Sequence, residues 1–408
     1  MQPHYEFAGF MGKRVHLGVT GSIAAYKALD LARALQRADC IVSATLTKAA
    51  TRFVTPLSFE ALGASPVYTD MFDETPGADT AFGHLEPGQA ADALLIAPAS
   101  ANTMAKLAFG LADDMLSCQA LAFAGPRIVA PAMNPRMWAA PATRRNWDML
   151  GELGYVRVTP DSGSVACGDT GTGRLVSPEE ILVATLKSLA PQDLAGKRVL
   201  VTLGPTREPW DAVRFWSNPS SGTMGACVAM AAYLRGADVT VVAGPTALGF
   251  PCGVTVVSVT TARQMFEACT DLWPDMDMAC LTAAVADYRP IPFGDTKFKK
   301  ATSAGAGISV EFETNPDILK SLGASKREGQ KLIGFAAETD NVRAEAARKL
   351  ESKNLDLIAA NNISRSGSGF GVATNEMFVM DAKGRKEQWP QLPKTEVAWR
   401  LWDHLLLD

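Results

Sequence analysis

The chain has 408 residues, with 39 basic against 43 acidic side chains and a formal net charge of −4. At roughly 150 residues per domain that length predicts two or three domains. With 47% apolar and 20% charged residues it is too apolar for a disordered protein, and the balanced charge argues against broad attraction to nucleic acid or anionic lipid.

No apolar run reaches the ~18 residues of a membrane span. The opening MQPHYEFAGFMGKR has no apolar core behind a basic start, so no secretory signal is expected. The seven cysteines, at 40, 118, 167, 227, 252, 269 and 280, form no CxxC or Cys/His pattern. Reduced thiols in a cytoplasmic protein are therefore expected, without a disulfide framework or structural zinc.

Taken in chain order, RVHLGVT is a β-branched run ending at a glycine. GSIAAYKALDLARALQRA follows with apolar residues at helical spacing, and CIVSATLT is a second strand. DALLIAPAS and RIVAPAMN are continuous apolar runs, the pattern of strands buried on both faces of a parallel sheet. SLAPQDLAGK, at 188–197, breaks the pattern with Pro191 and Gly196 and reads as a linker. The alternation then restarts with KRVLVTLG, a helix in GTMGACVAMAAYLRGA, and strands in DVTVVAG, MACLTAAVA, KLIGFAAE and NLDLIAAN. Strands separated by helices predict an α/β protein of two doubly wound, mainly parallel-sheet Rossmann-like domains, at 1–190 and 191–408. The glycine-rich stretch 160–177 and the basic stretch 289–307 read as long loops, of the kind that serve as lids or binding loops.

Several strand ends carry polar groups where open α/β sheets bind ligands. Gly21 and Ser22 turn a strand into a helix, which suits a phosphate or a plain serine N-cap. Ser100, Asn102 and Thr103 follow one Ala-Pro strand end and Asn134 follows another, so the two can share a crevice or act as caps and turns. Of four histidines, His84 is the one placed to act as a base, since His16 lies within a strand and His4 and His404 near the termini. Cys167, centred in a polar glycine-rich loop, is an odd packing residue and reads as a catalytic thiol on a lid. Cys40, Cys118, Cys227, Cys269 and Cys280 lie in apolar patterns and read as inert. In the second half Ser220, Ser221 and Gly222 precede a helix. Asp287 ends a strand, and Lys297, Lys299 and Lys300 form either a solvated face or a triphosphate clamp.

GSIAAYK, His84, ASANTMAK, LADDM, PAMNPRMW and ACGDTGTGR occur in this order over about residues 12–185. Together they resemble the flavin-dependent cysteine decarboxylase family, in particular its phosphopantothenoylcysteine decarboxylases. GPTREPWDAVRFWSNPSSGTMG, TAAVADYRP and DTKFKK, over about residues 196–405, resemble the phosphopantothenate–cysteine ligases that follow that decarboxylase in bacterial bifunctional enzymes of coenzyme A synthesis.

The resemblance implies FMN, held by Gly21, Ser22, Ile23, Thr47, Ser100, Asn102 and Thr103. The flavin would oxidise the cysteinyl thiol so that the carboxylate can leave. His84 would be the base, Asn134 would hold the substrate carboxylate, and Cys167 would donate the last proton. In the ligase half CTP would activate 4′-phosphopantothenate as an acyl-cytidylate that cysteine then attacks. Asn218 would orient that intermediate. Ala283, Ala284, Asp287, Lys297, Pro316, Asp317, Ile318, Leu319, Phe335, Lys349 and Lys353 would surround CTP, with Mg2+ near Asp287. The implied partners are phosphopantothenate, cysteine and CTP, with no nucleic acid or membrane, in a homo-oligomer.

Two positions depart from the family pattern: Pro87, in place of an aliphatic residue, and Thr223, in place of lysine. A nicotinamide-dependent dehydrogenase is the competing reading, but GxGxxG is missing. A non-catalytic flavin-binding protein is the other, and Cys167 argues against it.

Overall fold

The computed structural model describes residues 2–72, 82–166, 168–299, 308–362, 369 and 371–407. The chain divides into two compact units, Phe7–Ala190 and the combination of Met1–Glu6 with Pro191–Asp408.

The first unit runs β1 (Arg14–Val19), α1 (Lys27–Arg37), β2 (Ile41–Leu46), α2 (Pro56–Ala61), β3 (Val67–Tyr68), α3 (Glu86–Ala90), β4 (Ala93–Ala99), α4 (Ala101–Phe109), α5 (Met115–Ala122), β5 (Arg127–Pro131), α6 (Pro135–Ala139), α7 (Pro141–Glu152), β6 (Val156–Arg157), β7 (Asp161–Ser164), β8 (Thr170–Arg174) and α8 (Pro178–Leu189). β1 to β6 form one parallel sheet in the order β3-β2-β1-β4-β5-β6. The order reverses between β1 and β4, which opens a crevice at their carboxyl ends. Every residue of β4 is buried, as expected for a strand covered on both faces.

The expected long loop at 160–177 is instead largely the antiparallel hairpin β7–β8. Ser162 and Thr172 join their hydroxyls across it at 2.7 Å. Neither strand carries an apolar face, so the alternation that marks strands in sequence is missing here. Pro87 is accommodated in the first turn of α3, where a missing N–H costs nothing.

The second unit runs β9 (Arg198–Leu203), β10 (Arg207–Pro209), β11 (Phe215–Ser217), α9 (Thr223–Leu234), β12 (Asp238–Ala243), β13 (Val254–Ser258), α10 (Ala262–Leu272), β14 (Met278–Leu281), β15 (Tyr288–Pro290), β16 (Phe312–Thr314), α11 (Ile318–Ala324), β17 (Lys331–Glu338), α12 (Val342–Ser352), β18 (Leu357–Asn362), β19 (Thr374–Asp381), β20 (Lys386–Pro393) and α13 (Lys394–Leu406). Its main sheet is ordered β13-β12-β9-β14-β17-β18-β19-β20, parallel up to β18 and antiparallel in the last two pairings. Two short ribbons, β10–β11 and β15–β16, stand apart from it. The expected loop at 289–307 therefore begins in a strand, and Lys300 lies outside the described residues. The amino-terminal residues close on this unit around Gly249: Tyr5 Oη donates to its carbonyl at 3.0 Å, and its amide donates to Gln2 Oε1 at 2.9 Å.

One polar side chain sits in the middle of the first sheet. His16 of β1 is fully buried, with Nδ1 2.8 Å from Ser43 Oγ and Nε2 3.1 Å from Gln119 Oε1. Gln119 Nε2 donates to the Gly83 carbonyl at 2.9 Å, so its amide oxygen must face His16. Thr45 also donates to that oxygen, at 2.7 Å. His16 is consequently the Nε2–H tautomer, accepting from Ser43 at Nδ1.

Burial lowers the His16 pKa from 6.5 to about 4. The unfolded chain therefore takes up this proton first as pH falls, and folding stability drains away between about 6.5 and 4. In urea unfolding, the stability of the native protein relative to a His16→Gln variant is expected to shrink by about 2 kcal/mol from pH 7.5 to pH 5. A gap that stays constant would show that His16 is not a buried neutral imidazole.

Candidate functional site

In the first unit a cavity of about 470 Å3 opens at the carboxyl ends of β1, β4 and β5, within the range of small-molecule sites. Gly21, Ser22, Ile23, Ser100 and Asn134 line it, together with Ser164, Gly173 and Arg174 from the hairpin. Gly21 is forced by space, because a Cβ there would lie 2.4 Å from the Ala49 Cβ. Ser22 caps the following 3-10 turn, its Oγ accepting from the Ala24 amide at 3.3 Å. Thr20 ties two strand ends together: its hydroxyl donates to the Pro98 carbonyl at 2.7 Å and accepts from the Ser100 amide at 2.8 Å. Ser100 in turn caps α4 through the Thr103 amide at 3.3 Å.

Asn134 caps α6, with Oδ1 accepting from the Arg136 amide at 2.8 Å. Its Nδ2 donates to Asp169 Oδ2 at 2.7 Å, and the Met133 amide donates to the Gly173 carbonyl at 2.9 Å. A Cβ on Gly173 would approach the Met133 carbonyl oxygen to 2.5 Å, so the hairpin lies directly on this turn. Asp169 was not singled out in the sequence, although it stands in ACGDTGTGR, two residues after Cys167.

Not every expected residue lines this cavity. Asn102 is exposed, Thr103 is buried as part of the α4 cap, and Thr47 Oγ1 accepts from the Ala50 amide at 3.3 Å. His84 does not line it and stands in the turn before α3, which the Gln119 bond to Gly83 and the Tyr68 hydroxyl bond to Glu86 hold in place. Cys167 lies outside the described residues, but its neighbours Val165 and Ala166 line the cavity. Burial pushes the thiols of Cys40, Cys227 and Cys269 up to about 12, which leaves them unreactive near neutrality.

In the second unit a smaller cavity, about 120 Å3, lies where α9 meets the strand ends. Residues 220–225 line it, with Ala283, Ala284, Phe335, Asn361, Asn375 and Lys394. α9 packs directly on the sheet at Gly225, where a Cβ would lie 2.5 Å from Leu203 Cβ and 2.3 Å from Thr282 Oγ1. Asn218 Nδ2 donates to the Ala284 carbonyl at 3.1 Å, so those two expected residues are brought together. Thr223 Oγ1 is 2.9 Å from Ser221 Oγ.

The remaining expected groups form a separate set. Asp317 caps α11 and pairs with Lys353 at 3.0 Å, and Lys349 pairs with Glu338 at 2.5 Å. Ile318 and Leu319 face the core next to Pro316. Asp287 and Lys297 are exposed and do not line the cavity. Among the described residues no group of three His, Cys, Asp or Glu side chains is placed to hold a metal ion. Lys394, Asn361 and Asn375 were not expected at a site.

Residues 10–190 match the family model described as Flavoprotein, and residues 194–407 match DNA/pantothenate metabolism flavoprotein C-terminal domain. The coenzyme A biosynthesis bifunctional protein CoaBC of Bacillus subtilis is 42% identical over 393 residues, covering 95% of each chain. That of Escherichia coli K12 is 41% identical over 397 residues, covering 95% of this chain and 97% of the other. A crystal structure of the C-terminal domain of a coenzyme A biosynthesis bifunctional protein is 42% identical, covers 52% of this chain and 95% of that one, and has a TM-score of 0.43. Sharing both modules, their order and nearly its whole length with such relatives, the chain belongs to the family of bifunctional coenzyme A biosynthesis proteins.

Proposed function

We propose that the second unit joins cysteine to 4′-phosphopantothenate at the expense of CTP, and that the first unit decarboxylates the product to 4′-phosphopantetheine with FMN. The observation that carries this reading is the full-length likeness to bifunctional coenzyme A biosynthesis proteins.

The first cavity fits FMN. It combines a glycine turn with no room for a side chain, hydroxyls at Ser22 and Ser100, and apolar groups at Ile23, Tyr26 and Met137 along its wall. When bound, FMN accepts two electrons from the cysteinyl thiol and returns them after carbon dioxide has left. The amides of Gly21 and Ile23 and the Ser22 hydroxyl would hold the phosphate, with Thr47, Asn102 and Thr103 supporting that corner from outside the cavity wall. Asn134 orients the substrate carboxylate, His84 takes the thiol proton, and Cys167 returns a proton to carbon.

His84 does not line the cavity of its own chain, which supports a homo-oligomer in which a second copy supplies it. The second unit supports the same reading. Phe215, Trp216, Tyr288 and Phe312 are exposed on the two short ribbons, and the Trp216 and Phe312 rings meet edge to face at 5.1 Å.

In the ligase step the carboxylate must first become a better electrophile. Its oxygen attacks the α-phosphorus of CTP, pyrophosphate leaves, and the cysteine amine then displaces CMP. Asn218, held near Ala284, orients the acyl-cytidylate. Ala283, Phe335, Pro316, Asp317, Ile318 and Leu319 shape the nucleotide site, and Lys297, Lys349 and Lys353 offset its charge. Asp287 would help hold Mg2+, which would offset the charge of the triphosphate. No described helix is long and apolar enough to cross a membrane, and the six described cysteines are free; a cytoplasmic setting accords with both.

Purified protein given phosphopantothenate, cysteine, CTP and Mg2+ is expected to release both pyrophosphate and carbon dioxide, and to show flavin absorbance. A preparation that stays colourless after reconstitution with FMN, or releases no pyrophosphate, refutes the reading. His84→Asn is expected to slow carbon dioxide release by about 100-fold or more while retaining flavin; an unchanged rate removes it from the reaction. Cys167→Ser should keep FMN and release carbon dioxide but fail to yield the reduced thiol product, so normal product formation would exclude the thiol. Asn218→Asp should lower amide synthesis at least tenfold; unaltered synthesis would discredit that role.

A further inference from the structure

Asp169 has none of the roles assigned above. It does not line the cavity of the first unit, yet it holds a residue that does. Asn134 Nδ2 donates to Asp169 Oδ2 at 2.7 Å, while Asn134 Oδ1 accepts from the Arg136 amide at 2.8 Å. These partners settle which end of the side-chain amide is which. Only an oxygen can take the Arg136 N–H, and only a nitrogen can give a hydrogen to a carboxylate. A half-turn of the amide would set its oxygen against the Asp169 carboxylate and its nitrogen against the Arg136 N–H, two unfavourable contacts at once.

Asp169 is itself anchored at the end of the hairpin. It stands just before β8, and its carbonyl accepts from the Val165 amide at 2.9 Å. Its other carboxylate oxygen lies 3.5 Å from Arg136 Nη2. The hairpin does not need the Asn134 bond to stay on this turn, because the Met133 amide also donates to the Gly173 carbonyl at 2.9 Å. The Asp169 side chain therefore does something more specific than attach one segment to another: it aims an amide.

We propose that Asp169 is a positioning residue for the decarboxylation, holding Asn134 with its NH2 end presented to the substrate carboxylate. The inference rests on the decarboxylase reading above. A carboxylate only accepts hydrogen bonds, so Asn134 can bind it through nitrogen alone. That nitrogen carries two hydrogens and can serve Asp169 and a ligand oxygen together. A charged acceptor makes the orienting bond stronger than a neutral one would, and Arg136 offsets part of the repulsion between the two carboxylates. An amide ordered before the ligand arrives has less freedom to lose on binding. Asp169 thus sharpens recognition of the carboxylate and leaves the rest of the substrate unaffected.

The test is binding to the full-length protein of two ligands without a thiol to oxidise. One is 4′-phosphopantothenoylserine; the other is 4′-phosphopantothenoylethanolamine, which differs from it only in lacking the carboxylate. Flavin absorbance reports binding to the first unit alone, and calorimetry replaces it in a preparation that holds no flavin. The native protein is expected to bind the serine compound about tenfold more tightly than the ethanolamine compound. Asp169→Ala should cut that ratio to about threefold or less, with affinity for the ethanolamine compound unchanged. Asp169→Asn keeps an acceptor for Asn134 Nδ2 and should restore most of the preference. Asp169→Val, which also lacks an acceptor, gives the same comparison if the alanine variant fails to fold.

A merely structural role would weaken both ligands together. That outcome, an undiminished preference in the alanine or valine variant, an asparagine variant as poor as either, or a native protein with no preference for the carboxylate overturns the assignment. A preference that depends on Asp169 in a protein that releases no carbon dioxide upholds the positioning and rejects the decarboxylase reading instead.

Discussion

A strand covered on both faces leaves nowhere for chemistry except its ends. All seven residues of β4 are buried, and so are five of the six in β1 and in β9. Their backbone groups are consumed by the parallel ladder. Polar side chains in both units therefore collect where a strand gives way to a helix, and there they serve twice. Ser22, Ser100 and Asn134 each satisfy a local backbone amide and also line the larger cavity. The cavity is held as firmly as the helices it caps.

His16 is the exception, a titratable group in the centre of a sheet. Its cost is offset because every polar atom in its network has a partner. The network also extends outward: the Gln119 amide that fixes the His16 tautomer holds the Gly83 carbonyl, one residue before His84. A buried hydrogen-bond chain thus sets the position of a surface turn. The alternating pattern of RVHLGVT marks His16 as a strand residue but says nothing of this, because its three partners come from β2 and α5.

What could be read from the chain follows the same division. DALLIAPAS and KRVLVTLG declare themselves because burial on both faces leaves unbroken apolar runs, and the polar residues just beyond them mark the crevice. The β7–β8 hairpin was hidden because its serines, threonines and glycines bury nothing. β20 was hidden because an edge strand carrying Pro390 and Pro393, with Trp389 as its only buried residue, has no period to detect. Asp169 and Asn134 are 35 positions apart, and only the fold reveals that they share a hydrogen bond.

Two buried cations in the second unit show why burial alone does not define a site. Arg235 is 2% exposed, but Asp193 and Asp403 meet its guanidinium at 2.5 and 2.6 Å, and the Trp399 ring lies against it. It ties the segment after α8 to α13 and has no charge left to offer. Lys394, at the other end of α13, is buried to a similar degree beside a backbone carbonyl and the amino end of a helix.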